Sequence, residues 1–171
     1  TLNVNSQLNG ISVSDGGISN NGTMNITTNI AKTGQFSGSG TNNISGGANG
    51  APITVSTSTY AMTTHQAVLN DILDYGYMSL TSATLNVQFF NATYPSNGYF
   101  PAGTYTLLNS TSPPTIGFTN KPSDTMFLSF GSPTINGNQV RMTITRTPYT
   151  QYTTSALTTS IASNLETLGA N

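Results

Sequence analysis

Along the first 58 residues, apolar and polar side chains alternate in short runs: Leu2-Asn3-Val4, Ile11-Ser12-Val13, Met24-Asn25-Ile26 and Ile53-Thr54-Val55. A period of two is the period of a β-strand. Between the runs lie Asn9-Gly10, Asp15-Gly16-Gly17, Asn21-Gly22, Gly38-Ser39-Gly40, Gly46-Gly47 and Asn49-Gly50. These residues take positive φ at little cost and mark tight turns. The rhythm is strand, turn, strand, with no repeat of fixed length and no helix to separate the strands.

From Ala61 the period changes. Ala61, His65, Val68, Leu69, Ile72 and Leu73 recur at three- and four-residue spacing, as on one face of a helix. Thr63 followed by Gln66 resembles a capping box, and Gly76 a C-terminal stop. The spacing predicts a short inserted amphipathic helix over 63–75. Between Met78 and Arg146 the alternation returns with larger residues, in Leu85-Asn86-Val87-Gln88-Phe89, Tyr105-Thr106-Leu107, Met126 to Phe130, and Val140-Arg141-Met142-Thr143-Ile144. Asn97-Gly98 and Asn136-Gly137 mark turns there, and the prolines fall in the gaps. After Ser155, Leu157, Ile161, Leu165 and Leu168 predict a second short helix, capped by Ser155 or Thr154. It is rich in Ser and Thr, marginal alone, and needs a surface to dock on.

Composition narrows the fold. The chain has 171 residues, enough for one domain with a sizeable core. Only 35% of it is hydrophobic and 5% charged, with 17 Gly and no Cys. A sandwich wants bulky inward residues on seven or more strands, and the first stretch has too many small ones. A solenoid needs only a thin interior, because each coil buries its inner face against its neighbours. The expected fold is therefore all-β: a right-handed parallel β-helix with a C-terminal cap, a short inserted helix and a short C-terminal helix. Residues 1–78 supply the coils, 79–152 the cap, and 153–171 a linker and helix. The cap is needed because the last coil otherwise presents a bare sheet edge.

Charge narrows function. Four scattered cations, Lys32, Lys121, Arg141 and Arg146, build no nucleic-acid surface. No run approaches the ~18 apolar residues of a membrane-spanning helix. Thr1 is no initiator Met, so the chain reads as a fragment or mature piece.

Candidate chemistry is sparse. His65 is the single imidazole. With Ser56, Ser58 or Asp71 it suggests a hydrolase triad, but the helical spacing does not put His65 and Asp71 on one face. No Gly-x-Ser-x-Gly elbow is present either. Asp71 and Asp74 read as a solvated helix end rather than a catalytic pair, and Asp15, Asp124 and Glu166 are too scattered for glycoside hydrolysis. The Gly-rich run from Gly34 to Gly50 lacks the Gly-Lys-Ser/Thr ending of a phosphate loop. No metal, no cofactor and no catalytic residue is assigned, and the expected class is non-enzymatic. Leu85, Val87, Phe89, Tyr105, Leu107, Phe130, Val140, Met142 and Ile144, with Met126 and Leu128, are the expected core of the cap. Tyr94, Tyr99 and Phe100 are candidate contacts to a glycan or a host protein, through the stacking chemistry of aromatic rings.

Residues 82–152 resemble the C-terminal end of a bacterial autotransporter passenger. The resemblance is carried by Ala83-Thr84-Leu85-Asn86-Val87, by Pro101-Ala102-Gly103-Thr104-Tyr105-Thr106-Leu107-Leu108, and by the stretch from Ile135-Asn136-Gly137 through Val140-Arg141-Met142-Thr143-Ile144-Thr145-Arg146-Thr147-Pro148-Tyr149. It implies a β-helix whose cap nucleates folding, called an autochaperone region. It implies export through the outer membrane with the protein's own C-terminal β-barrel as partner. Residues 157–168 would lead toward that barrel. It also implies a place at the cell surface or outside the cell, as the stem of an adhesin or other virulence factor, or as a host- or glycan-binding module itself.

Overall fold

The structure is a computed structural model that describes residues 2–4, 7–9, 17–26, 30–44, 53–69, 72–73, 77–81, 84–93 and 100–169. The chain is mostly β, with one helix at its C-terminal end. The strands are β1 (Leu2–Val4), β2 (Gln7–Asn9), β3 (Ile18–Asn20), β4 (Thr23–Ile26), β5 (Ile30–Ile44), β6 (Ile53–Val68), β7 (Met78–Thr81), β8 (Thr84–Thr93), β9 (Gly103–Ser110), β10 (Thr115–Asn120), β11 (Leu128–Phe130), β12 (Thr134–Asn136) and β13 (Gln139–Arg146). A 3-10 turn, Tyr149–Tyr152, precedes helix α1, Ala156–Gly169.

Every pairing among β1 to β8, and those of β9 with β7 and β10 with β8, is parallel. Successive passes of the chain therefore set residues in columns. Leu2 lies beside Ile18, Ile18 beside Phe36, Phe36 beside Tyr60, and Tyr60 beside Leu85. A second column runs Leu8, Met24, Asn42, His65, Phe90 and Thr119. The loops between passes differ in length, so no fixed repeat shows in the sequence. The sheet does not close on itself.

Alternation sorts the columns into inside and outside. Ile18, Met24, Phe36, Tyr60, Met62, Leu85, Val87 and Phe90 are buried, while Asn86 and Gln88 are exposed. One break in the alternation recurs down the ladder. From Tyr60 onward the buried residues of β6 are Tyr60, Met62, His65 and Ala67. On β8, beside it, they are Leu85, Val87, Phe90 and Ala92. At the break on β8 two successive outward residues, Gln88 and Phe89, let the strand bend without losing its inner face.

That bend corrects two expectations. The helix expected over 63–75 is not formed over its first part: Thr63 to Val68 belong to β6. Helical residues begin at Leu69 and include Ile72 and Leu73, while 70, 71 and 74–76 lie outside the described residues. A strand that skips one beat at a bend spaces its buried residues by two and three, which imitates a helical period; β-branched Thr63 and Thr64 favour the strand. The second correction is Phe89, expected in the core. It sits at the same bend on β8, faces outward, and leaves the inner position to Phe90.

The Gly38-Ser39-Gly40 run, expected as a turn between strands, lies within β5 instead. It forms the bend there, stacked on Asn20-Asn21-Gly22 of the pass below. Thr41 N–H donates to the Gly22 carbonyl at 2.8 Å, and Asn21 Oδ1 accepts from Ser39 N–H at 3.2 Å. A Cβ on Gly38, whose φ is +142°, would collide with the Asn20 carbonyl oxygen, and one on Gly40 with that of Gly22. Only glycine lets the two backbones approach this closely.

At β6 the ladder divides. The start of β6 continues into β7, then β9, then β13 and β11; the rest of β6 continues into β8 and ends at β10. β13 pairs antiparallel with β9, β11 and β12. The β12–β13 hairpin turns at Gly137-Asn138, one residue beyond the Asn136-Gly137 pair that marks a turn in the sequence, with Gly137 at φ +59°. Leu107, Leu128, Phe130, Val140, Met142 and Ile144 are buried in this region together with Leu108, and Tyr105 is half-buried. Met126, expected with them, is exposed, because β11 begins only at Leu128. Helix α1 forms as expected, with Ser155 Oγ accepting from Thr158 N–H at 3.3 Å at its N-terminus. It docks through Ala162 and Glu166, and its stripe Leu157, Ile161, Leu165 and Leu168 faces solvent.

Candidate functional site

The polar side chains that the fold gathers most tightly lie inside the ladder. Asn20, Asn42, Tyr60 and His65 are all fully buried. Three strands supply them, β3, β5 and β6, with Tyr60 and His65 both on β6, and they form a directed chain. Gly22 N–H donates to Asn20 Oδ1 at 3.0 Å, and Asn20 Nδ2 donates to Asn42 Oδ1 at 2.6 Å. Asn42 Nδ2 donates to the Tyr60 hydroxyl at 2.9 Å, and that hydroxyl lies 2.6 Å from His65 Nδ1. With Asn42 donating, the tyrosine proton points to Nδ1, and the neutral imidazole carries its own proton on Nε2. Nε2 has no hydrogen-bond partner among the described residues. The ring lies against Phe90, with centroids 5.0 Å apart.

Burial fixes the protonation of this group. Desolvation lowers the His65 pKa to about 3. It raises that of Tyr60, an effect only partly opposed by the Asn42 hydrogen bond. Both rings are neutral across the physiological range. His65 is thus a strand residue in a sealed interior, not the helix residue its spacing suggests, and its hydrogen-bond partner is Tyr60 rather than a carboxylate. Ser56 is half-buried on β6, and Asp71 lies outside the described residues.

The other acids are engaged in structure. Asp124 accepts from Lys121 Nζ at 2.7 Å, from Phe130 N–H at 2.9 Å and from Ser129 Oγ at 3.2 Å. The Lys121 hydrogen bond, then that of Phe130, holds its carboxyl below the usual carboxylate range. Glu166 receives Arg146 through both guanidinium nitrogens at 3.1–3.2 Å, and the guanidinium stacks 4.4 Å over the Tyr149 ring. Asp15, Asp71 and Asp74 lie outside the described residues. No cluster of three potential metal ligands occurs among the described residues.

Outside the ladder, a column of amides runs along one edge of the bend: Asn9, Asn25, Asn43, Gln66, Asn91 and Asn120 occupy equivalent positions. Asn43 Nδ2 donates to Asn25 Oδ1 at 2.8 Å, and Asn120 Nδ2 to Asn91 Oδ1 at 2.9 Å. This is the like-on-like stacking that the Asn-rich composition suggests. Beside it, Thr23, Thr41, Thr64, Phe89 and Phe118 form a second outward column. Phe89 and Phe118 are 41% and 67% exposed, with rings 5.4 Å apart.

Of the three aromatic residues expected to contact a ligand, Phe100 is fully buried and packs at 5.1 Å against Tyr105, whose hydroxyl donates to the Pro101 carbonyl. It is core. Tyr94 and Tyr99 lie outside the described residues. The exposed pair Phe89 and Phe118 was missed as a surface feature because Phe89 reads as an inward residue until the bend at Gln88 is known. The buried chain Asn20–Asn42–Tyr60–His65 was missed because nothing in the sequence says that β3, β5 and β6 share a register.

Comparison of the chain with protein-family models, curated proteins and solved structures returned no match.

Proposed function

We propose that this chain is a non-catalytic stem and folding-nucleating cap of an autotransporter passenger, wound as a right-handed parallel β-helix. The observation that carries the reading is the division of the ladder. Long parallel passes end, on one branch, in the antiparallel β9–β13–β11 unit, whose buried residues are large and apolar. A parallel ladder closes only through long crossovers and gains little from local contacts, so it benefits from a preformed edge. β12 and β13 join through a two-residue turn and β11 pairs with β13 from 14–18 residues away, while β9 completes the unit across 30–41 residues. They supply an edge that forms early and on which the parallel passes add. The buried Asn and Tyr of the passes require register and reward it; the apolar cap tolerates less of both. The protein works at the cell surface or outside it, and its partner in export is its own C-terminal β-barrel.

The test places one charge in each region of the full-length protein displayed on cells. Leu107→Asp should leave the whole passenger protease-sensitive or stalled in export. Ile18→Asp should leave the cap protected. Equal damage from both removes the nucleating role.

A further inference from the structure

The two branches of the ladder end differently. On one, β9 is covered by β13 and β13 by β11. On the other, β10 is the last strand and, among the described residues, pairs only with β8. Its residues Thr115, Gly117, Phe118, Thr119 and Asn120 are exposed and Ile116 is half-buried. The exposure of Thr119 is the telling one. In its column Met24, Asn42, His65 and Phe90 are all fully buried. An inward position is left open because no further strand covers it.

We infer that the β10 edge is an acceptor site for one added strand: an extended, uncharged peptide segment of a partner protein, pairing in parallel as β8 does from the other side. Four observations define the occupant. Its backbone is met by the free edge of a six-residue strand, the arrangement used in strand-addition complexes. Its inward side chains meet Ile116 and Thr119, so they are apolar. Opposite Phe118 an aromatic residue extends the Phe89–Phe118 column. Opposite Asn120 a further amide extends the column in which Asn43 Nδ2 donates to Asn25 Oδ1 and Asn120 Nδ2 to Asn91 Oδ1. No residue of β10 is charged, and the adjacent Lys121 is held by Asp124.

The neighbouring branch stands two strands higher than β10, on the order of 10 Å, so the ledge admits an extended strand laid on β10. Pro113-Pro114 before it and Lys121-Pro122 after it limit its length, which restricts uncontrolled edge pairing.

The probe is a capped synthetic peptide with the sequence of β8, Thr84 to Thr93, which carries the required apolar, aromatic and amide pattern. It is titrated into the folded 171-residue chain, with amide hydrogen exchange as the readout. The expected result is saturable binding with new protection confined to β10. Thr119→Lys, at an exposed position, should leave melting unchanged and weaken binding at least about tenfold by placing a charge under the added strand. The same peptide carrying Phe90→Asp should fail to bind. Absence of binding, protection spread over β8 instead of β10, or binding indifferent to both substitutions overturns the inference. Protection of β10 that appears with rising protein concentration and no peptide identifies a second copy as occupant and overturns it as well.

Discussion

The parallel passes and the antiparallel end are built on different terms. In the passes, the interior holds Asn20, Asn42, Thr57, Tyr60 and His65 among Ile18, Met24, Phe36 and Met62. In the antiparallel end, Leu107, Leu108, Leu128, Phe130, Val140, Met142 and Ile144 make an interior with Ser110 as its buried polar residue. An apolar core pays for its own ordering through burial, at roughly 1.5–3 kcal/mol for each large side chain. A buried polar chain contributes only when every partner is in register, since each unmatched buried group costs about 1–3 kcal/mol. The antiparallel end is therefore held by apolar burial around one local unit, the β12–β13 hairpin. The passes depend on exact alignment of one with the next, and they gain specificity from it.

The largest expected effect breaks the apolar side of this contrast. Leu107→Asp buries an uncompensated charge and costs about 4 kcal/mol or more. Denaturation followed by circular dichroism should show loss of the whole fold. Ile18→Asp should lose only the passes near β3, seen as protease cleavage limited to the N-terminal part.

Next comes register. Gly38→Ala forces a Cβ into the Asn20 carbonyl at a positive φ, at a cost of about 2 kcal/mol. The melting temperature should fall, with hydrogen-exchange protection lost first on β3 and β5. Gly137→Ala, at φ +59° but with open space around its Cβ, should cost less, about 1 kcal/mol. Equal losses would mean that close approach between passes does not matter.

The polar chain gives the contrast a pH signature. The folded pKa of His65, about 3, lies below the 6.5 of a free imidazole. Above pH 6.5 neither state binds the proton and stability is full. As pH falls toward 3 the unfolded chain binds a proton that the folded chain refuses, and stability is lost by up to about 1.4 kcal/mol per pH unit. Carboxylates titrate lower, so the loss between pH 6.5 and 5 belongs to His65. His65→Gln should lower stability at pH 7 yet flatten that part of the curve, measured by urea denaturation across the range. An unchanged slope would sink the assignment.

The smallest effect concerns the helix. Glu166→Gln removes the ionic part of its hold on Arg146, whose side chain is 7% exposed, and should cost about 1 kcal/mol. Fraying of α1 by hydrogen exchange, with the antiparallel end intact, is the expected outcome.

Much of the architecture was written in local chemistry. Period-two alternation marked β1, β4, β8, β9 and β13. Gly137 specified its hairpin, because a turn needs residues that accept positive φ whatever surrounds them. Ser155 and the apolar spacing after it specified α1. The scarcity of charge and the surplus of Asn and Thr suited stacked columns. These are properties that a short segment carries by itself.

What the tertiary structure alone decided was register and bend. Asn25, Asn43, Gln66, Asn91 and Asn120 are scattered along the sequence and become one column only when five passes align. The bend within β6 and β8 turned a helical spacing into strand, moved Phe89 out and Phe90 in, and set His65 against Tyr60 in the interior. The division of the ladder at β6, which leaves β10 open while β9 is covered, follows from pairing between distant strands. The physical reason is common to all three. A side chain's inward or outward direction on a strand depends on a count of residues from a bend, and the bend is placed by the neighbouring pass, not by the segment that bends.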